Sequence, residues 1–214
     1  MTPFDAPVVA WRAAPESDAP LVVLLHGRGS SESEIMALAD HLLAGDTYAA
    51  LRAPIAEGGG YAWFANRGIG RPVAESLAET MAWFRGWLED VAQPGRPVVL
   101  VGFSGGAAFA GGLILDDPGR YAAAAILSGT LPFDAGVPTT PGRLAGLPVL
   151  VAHSDADSVI PRDLLHRTWT YLHDDAGSTT TGVRDPGGHG ISATVLGELH
   201  RWLAGLTAAR EAAS

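Results

Sequence analysis

The residues with the clearest chemical potential are a serine and the glycines around it. The segment Gly102-Phe103-Ser104-Gly105-Gly106 fits the pattern G-x-S-x-G. It follows the apolar run Val98–Val101 directly and precedes a predicted helix over Ala107–Leu115. In that context the serine lies on a sharp strand-to-helix turn, and its hydroxyl is exposed for attack on a carbonyl carbon. The alternative interpretation is a glycine turn that carries a solvent-exposed serine.

A serine hydroxyl is a weak nucleophile at neutral pH, so it needs a base, and the base needs an acid to orient it. For a serine on this kind of turn, the acid and then the histidine follow along the chain. Asp155 and Asp157 both come soon after the apolar run Pro148–Ala152, and the pattern leaves either open as the acid. His189 lies between two glycines, on a segment free to bend inward. The sequence predicts Ser104 as nucleophile and His189 as general base.

Acyl transfer also needs two backbone N–H groups directed at the oxygen that becomes negative. One is predicted at Gly105, the residue after the serine. The other is predicted in His26-Gly27-Arg28-Gly29, which follows the apolar run Leu21–Leu25, and there the N–H of Arg28 is the natural donor. The alternative is a turn that only ends the strand.

The elements that must position these residues alternate along the chain. The runs predicted as buried strands are Leu21–Leu25, Val98–Val101, Ala125–Leu127 and Val149–Val151. The segments predicted as helices are Ser31–Leu43, Glu75–Val91, Arg162–Leu172 and Ala193–Leu206. Because continuous apolar strands are typical of parallel sheets covered on both faces, this alternation predicts an α/β sandwich. Pro7–Trp11 is predicted as an antiparallel edge strand, and Thr130–Gly146 as one long loop.

Charge and cysteine content exclude several classes of function. The chain has 14 Lys and Arg against 23 Asp and Glu, and this net charge of −9 disfavours binding to nucleic-acid backbones. There is no cysteine, so disulfides, thiolate metal sites and cysteine-based catalysis are excluded.

The sequence lacks the motifs of cofactor sites and of membrane-spanning segments. Neither metal-ligand spacing nor a dinucleotide-binding glycine motif is present, so no metal and no cofactor is predicted. No apolar run approaches the roughly 18 residues of a membrane-spanning helix. The start of the chain lacks the basic and apolar regions of a signal peptide, so a cytoplasmic protein is expected.

Together these segments resemble the small carboxylesterase/phospholipase family that includes the acyl-protein thioesterases. The resemblance is carried by Leu24-Leu25-His26-Gly27-Arg28-Gly29, Arg52-Ala53-Pro54, Gly59-Gly60-Tyr61-Ala62-Trp63-Phe64, Gly102-Phe103-Ser104, Leu127-Ser128-Gly129-Thr130-Leu131-Pro132, His153–Pro161 and Gly188-His189-Gly190. It implies one α/β-hydrolase domain over residues 1–214, with a core over about residues 20–205. The implied fold has a mostly parallel central sheet, helices on both faces and no large cap domain.

The resemblance also implies an activity, the hydrolysis of carboxylic ester or thioester bonds by a catalytic triad without a cofactor. It selects Asp157 over Asp155 as the acid, because the family's acid stands four residues after a strand-end histidine and four before a proline. His153 and Pro161 take those two positions here. One departure concerns Gly105, where the family usually has glutamine. Since the donor at that position is a backbone N–H, the oxyanion hole is retained.

The same segments indicate where a substrate would bind. Trp63 and Phe64 follow a glycine-rich run, while Leu131 and Ile160 lie beside the catalytic motifs. These four residues are predicted to line an acyl pocket, with a place in the core as the alternative for the adjacent aromatic pair. Without a cap the cleft would be roofed by loops alone, so small-molecule esters with short to medium acyl chains are the expected substrates.

Two other functions remain open at this point. A cofactor-free perhydrolase or a lyase would use the same triad on the same fold. A non-catalytic binding protein would keep the fold without the chemistry, since fold alone does not decide function. The presence of a nucleophile, an acid, a base and both oxyanion donors favours the esterase. The sequence also leaves open that the protein forms a homodimer.

Overall fold

The computed structural model describes residues 4–12 and 19–213. Within them seven strands form one sheet in the order β1-β3-β2-β6-β7-β8-β9, and β4 pairs with β5 in a separate hairpin. In the sheet, β1 is antiparallel to β3 and all other neighbours are parallel. The strands are β1 Val9–Arg12, β2 Leu21–Leu25, β3 Thr47–Leu51, β4 Ile55–Glu57, β5 Gly60–Ala62, β6 Val98–Phe103, β7 Ala123–Leu127, β8 Pro148–Ser154 and β9 Thr179–Asp185.

The helices of the described residues lie on both faces of this sheet. They are α1 Glu32–Met36, α2 Ala74–Val91, α3 Gly105–Asp116, α4 Arg162–Thr170 and α5 Ala193–Ala213. The predicted mostly parallel sheet between helices is therefore confirmed, and the predicted edge strand is β1. The prediction of one domain over residues 1–214 stays a prediction, and residues 1–3 of the segment searched for a signal peptide lie outside the described residues.

Side-chain alternation along the buried strands creates a hydrophobic core on each face. Leu21 and Leu25 of β2 belong to the core that contains the apolar side of α2 and α3. Val22 and Leu24 belong to the opposite core, which contains residues of α1 and α5. Every residue of β2 is fully buried, which explains why its sequence is apolar without interruption.

Two predicted helices differ in detail from the observed ones. The segment predicted over Ser31–Leu43 divides into α1 and a 3₁₀ helix over Ala37–His41. The segment predicted over Arg162–Leu172 is α4 followed by a wider helical turn, Tyr171–Asp175. Both changes occur in last turns, where carbonyl groups lack partners further along the helix and the backbone readily tightens or widens.

The carboxyl ends of the parallel strands converge at one edge of the sheet, where ligands bind in open α/β sheets. The loops after β2, β6, β8 and β9 carry the residues singled out as catalytic. The predicted loop Thr130–Gly146 contains neither helix nor strand, and no part of the described chain forms a separate cap. None of the helices that the structure describes is long and apolar enough to cross a membrane.

Candidate active site

Ser104 lies on a strained turn between β6 and α3. Its φ of 54° and ψ of −114° fall outside the regions that non-glycine residues favour. The turn is possible because its flanking residues are glycines. A Cβ atom at Gly102 would lie 2.3 Å from the Gly106 carbonyl oxygen, and one at Gly106 would lie 2.1 Å from the Leu25 carbonyl oxygen. The G-x-S-x-G spacing is therefore a steric requirement of this turn.

The structure brings Ser104, His189 and Asp157 into one chain of hydrogen-bonding distances. The Nε2 atom of His189 is 2.9 Å from the Ser104 Oγ, and its Nδ1 atom is 2.9 Å from the Asp157 Oδ2. The Asp157 side chain is 0% exposed and that of His189 is 17% exposed. An ionised carboxylate only accepts hydrogen bonds, so Nδ1 carries the proton and Nε2 presents a lone pair to the serine.

The loop after β8 stabilises the negative charge on Asp157. Its Oδ1 atom accepts the backbone N–H groups of Val159 at 2.8 Å and Ile160 at 3.0 Å. Burial alone would raise the pKa of Asp157, but the hydrogen bonds from His189 and from these two backbone groups outweigh it and lower that pKa. Asp157 therefore stays ionised beside the imidazole.

Asp155, the alternative acid, lies in a different environment. Its side chain is half exposed and pairs with Arg184, the Oδ1 atom lying 2.6 Å from a guanidinium nitrogen. That hydrogen bond is the main reason why the pKa of Asp155 is lowered. Asp157 therefore contacts the imidazole of His189, whereas Asp155, two residues earlier in the chain, lies at the surface.

The loop that carries His189 is fixed by residues that the sequence analysis missed. Asp185, at the end of β9, accepts hydrogen bonds from the Gly187 N–H at 2.6 Å and the Ser192 hydroxyl at 2.5 Å. The Ser128 hydroxyl, at the end of β7, donates to the Gly190 carbonyl at 3.0 Å. No motif marks Asp185 or Ser192, and Ser128 lies in the Leu127–Pro132 segment of the family resemblance without a role assigned to it. Their signal is positional, since each residue ends a strand, follows one or lies close to His189.

The two predicted oxyanion donors belong to adjacent backbone segments. A Cβ atom at Gly105 would lie 3.2 Å from the backbone nitrogen of Arg28, so α3 begins directly beside the loop after β2. Both residues line the cavity that contains Ser104. Gly105 also opens α3, where backbone N–H groups lack partners within the helix and carry partial positive charge.

His26 orients the peptide that carries the Arg28 N–H group. It is fully buried, and its Nε2 accepts the Ala53 N–H at 3.1 Å. Its Nδ1 therefore carries the proton and donates to the Gly27 carbonyl at 2.7 Å. Burial is the main cause that lowers the pKa of His26, in keeping with a neutral ring. Since the Gly27 carbonyl and the Arg28 N–H share one peptide plane, fixing the first orients the second.

A cavity of about 450 Å³ opens above Ser104, and its walls are mostly apolar. It is lined by Arg28, Gly29, Glu57, Gly58, Phe64, Asn66, Ile69, Gly70, Pro72, Ser104, Gly105, Ala108, Thr130, Leu131, Pro132, Val159, Ile160 and His189. Three of the four residues predicted to contact substrate are among them: Phe64, Leu131 and Ile160.

The prediction that Trp63 lines the pocket is corrected by the structure. Trp63 is 1% exposed and stacks on Phe109 of α3 at a ring-centroid distance of 4.6 Å. Its indole N–H donates to the His26 carbonyl at 2.8 Å. Trp63 therefore belongs to the core beneath the cavity, because a large ring with a satisfied N–H is more stable buried than at a solvent-filled surface. No cluster of three metal-ligating side chains occurs among residues 4–12 and 19–213.

Comparison with known proteins concerns the family and the fold of the chain. A family model described as Phospholipase/Carboxylesterase matches residues 6–206. No curated protein matches the chain in sequence. Among solved structures, a carboxylesterase from Mesorhizobium loti is 28% identical, with 89% of this chain and 90% of that chain covered and a TM-score of 0.78.

Two further structures extend the comparison. Esterase PE8 is 26% identical, with 94% of this chain and 100% of that chain covered and a TM-score of 0.79. A Bacillus cereus carboxylesterase is 20% identical, with 94% of each chain covered and a TM-score of 0.83, and this likeness concerns the fold. The predicted α/β-hydrolase fold and family resemblance are confirmed. Because the family model matches most of its length, the chain belongs to the phospholipase/carboxylesterase family and is a hydrolase.

Proposed function

We propose that the protein hydrolyses carboxylic esters through an acyl-enzyme on Ser104. The Ser104 Oγ attacks the acyl carbon while His189 Nε2 takes the hydroxyl proton. The carbonyl oxygen becomes an oxyanion that accepts the N–H groups of Arg28 and Gly105. His189 then gives its proton to the leaving oxygen, and an ester bond breaks as the acyl-serine forms. Water activated by the same nitrogen attacks the acyl-serine, which releases the acid and restores the serine.

The observation that carries this proposal is the pair of 2.9 Å contacts that join Ser104, His189 and Asp157 at the base of the cavity. A serine gains reactivity when its hydroxyl can pass a proton to a neighbouring base, and a base accepts it better when a carboxylate holds the correct tautomer. The buried charge of Asp157 serves that purpose here, and it also stabilises the imidazolium that forms in the transition state.

The cavity supports small substrates with apolar acyl groups. Its volume of about 450 Å³ lies towards the lower end of the roughly 300–1,000 Å³ of ligand pockets. Leu131 and Ile160 are more than 90% buried within its walls and offer apolar contact to an acyl chain. We therefore propose short to medium acyl chains on small esters or thioesters as substrates. Each added methylene of the acyl chain should increase the affinity only until the cavity is filled.

A fluorophosphonate probe tests the proposal. Such a probe reacts covalently with an activated serine, so it should label the protein at Ser104 and abolish hydrolysis of p-nitrophenyl butyrate. The Ser104→Ala variant should be neither labelled nor active, while Ser154→Ala, at a buried serine outside the cavity, should still be labelled. A folded protein that resists the probe and hydrolyses no ester would favour the non-catalytic alternative. Formation of peracid from hydrogen peroxide faster than hydrolysis would favour the perhydrolase.

A further inference from the structure

The guanidinium group of Arg28 makes its hydrogen bonds to the β4–β5 hairpin and the residues just beyond it, although Arg28 also lines the cavity that contains Ser104. Its Nε and Nη2 atoms each lie 2.5 Å from one carboxylate oxygen of Glu57, at the end of β4. Its Nη1 atom donates to the Phe64 carbonyl at 3.1 Å, just beyond β5. Arg28 therefore joins both ends of the hairpin, and the contact with Glu57 is bidentate, which fixes orientation as well as distance.

The backbone around Arg28 needs such a restraint. Gly27 and Gly29 flank it, and Gly29 adopts a φ of +80°, so the chain on both sides has the conformational freedom of glycine. The Gly27 carbonyl is held by His26 and by the Ser30 N–H at 3.1 Å. These contacts fix the carbonyl end of the peptide that carries the Arg28 N–H. Beyond Arg28, the Gly29 N–H donates to the Tyr61 carbonyl of the hairpin at 2.9 Å, and the side chain of Arg28 adds a second restraint at its Cα.

The neighbouring helix offers no side chain to do this. The residue of α3 that lies beside Arg28 is Gly105, where an added Cβ would lie 3.5 Å from the Arg28 Cβ. The ion pair with Glu57 is also partly exposed, with 33% of the Arg28 side chain and 43% of the Glu57 side chain accessible. Exposed ion pairs contribute little to stability. Their loss should therefore be visible in the chemistry before it is visible in folding.

We infer that Glu57 is a positioning residue for the oxyanion hole, acting through the Arg28 side chain on the direction of the Arg28 N–H group. The inference depends on the proposed function, because it assigns that N–H to the developing oxyanion. Glu57 is not a catalytic residue in this account. The Arg28 side chain joins both ends of the hairpin, and Glu57 is the carboxylate that fixes its orientation at one of them.

The test measures the transition state separately from the ground state. With p-nitrophenyl butyrate, Glu57→Gln should lower kcat about tenfold, less than the ~10²–10³ loss expected when an oxyanion donor is removed altogether, with KM changed less than twofold. The affinity for butylboronic acid, which forms a tetrahedral adduct, should fall by the same factor as kcat. Asp116→Asn, which breaks the comparable exposed pair with Arg85 on a distant surface, should change neither quantity more than twofold.

A double-mutant cycle shows whether Glu57 acts through Arg28. If it does, Arg28→Ala combined with Glu57→Ala should be no more than twofold worse in kcat than Arg28→Ala alone. Two additive losses, or a change in KM without a change in kcat, would overturn the inference, because either result would mean that Glu57 contacts the substrate itself. An unchanged kcat in Glu57→Gln, in a protein whose wild type reacts with the fluorophosphonate, would also overturn the inference. A wild type that resists the probe would instead contradict the proposed function.

Discussion

The two halves of the site are held by different kinds of contact. The loops that carry Asp157 and His189 are fixed through two buried carboxylates, Asp157 and Asp185, and Asp185 accepts two hydrogen bonds from the loop of His189. The loop that carries Arg28 is fixed on its outer side by an exposed ion pair with Glu57. A buried polar group that loses its partner costs about 1–3 kcal/mol, while exposed ion pairs are worth ~0–1 kcal/mol. Damage to the first half should therefore affect folding and chemistry together, and damage to the second half chemistry alone.

The largest effect is expected at the two residues between which the proton moves. Ser104→Ala and His189→Ala should each lower kcat by about 10⁴–10⁶, and the double variant should be little worse than either, because the triad acts as a unit. Single-turnover kinetics with p-nitrophenyl butyrate would measure both losses. Near-normal turnover by Ser104→Ala would show that Ser104 is not the nucleophile. The comparison between the two halves of the site would then have no chemical basis.

The two neighbouring aspartates give the next largest contrast. Asp157→Asn should lower kcat by roughly 10⁴. The amide would stabilise the wrong tautomer of His189, and because it is neutral it would not stabilise the imidazolium that forms in the transition state. Asp155→Asn should change kcat less than about twofold, because that carboxylate contacts Arg184 at the surface. Thermal unfolding of both variants would separate lost chemistry from lost structure. If the two losses were reversed, Asp155 would be the acid.

Acid titration sharpens the comparison at Asp185. The Ser192 hydroxyl lowers the pKa of Asp185 most, burial opposes it, and the Gly187 N–H lowers it further. Because the folded-state pKa lies below the unfolded value of about 3.9, Asp185 contributes stability that is present above that pH and is lost as the pH falls. The free energy of unfolding should therefore fall less steeply with acid in Asp185→Asn than in the wild type.

Urea unfolding between about pH 6 and pH 3 would measure the acid dependence of both proteins. Asp134→Asn is the matched control for the substitution itself, since the Asp134 side chain is 82% exposed and pairs with Arg167 at the surface, and it should leave the free energy of unfolding nearly unchanged at about pH 7. Asp185→Asn should also lower kcat roughly tenfold, because the loop of His189 loses an anchor. Equal acid slopes in the wild type and Asp185→Asn would mean that the buried half is not held by this carboxylate.

The smallest effect concerns selectivity in the cavity. Ile160→Ala should reduce the preference for butyrate over acetate esters by about fourfold for each methylene that loses contact, since a buried methylene is worth ~0.8 kcal/mol. Ile35→Ala, in the core on the opposite face of the sheet, should leave the ratio of the two kcat/KM values unchanged. An equal loss on both esters in Ile160→Ala would show that this side chain does not touch the acyl group.

The parts of the fold that sequence predicted are those under steric or hydrophobic constraint. Each residue of β2 is fully buried, so its sequence is apolar throughout, and Gly102 and Gly106 admit no Cβ atom beside the serine. The strands that sequence reasoning missed show no such apolar pattern. Thr47–Leu51 is as buried as β2, but it contains two alanines and no β-branched apolar residue. Thr179–Asp185 lies at the edge of the sheet with mostly exposed side chains.

The site was predictable to the extent that each role requires one residue type at one place. A nucleophile, a base and an acid meet that condition, so the motifs of Ser104 and His189 were informative. Trp63 and Phe64 were both assigned to the pocket because they follow a glycine-rich run, yet neighbours along a chain point to different sides, and Trp63 packs on Phe109. Asp185 and Glu57 act through other residues across the fold, and such contacts leave no local pattern in the sequence.

The most direct test of the central claim is to observe the acyl-enzyme. In rapid-quench mass spectrometry with p-nitrophenyl butyrate, one butyryl group should appear on the peptide that contains Ser104, at the rate at which the first equivalent of p-nitrophenol is released. It should disappear with the steady-state rate once substrate is exhausted, and it should not form in His189→Ala on the same time scale. Steady turnover without any acylated peptide, or with the acyl group on a different residue, would contradict the account.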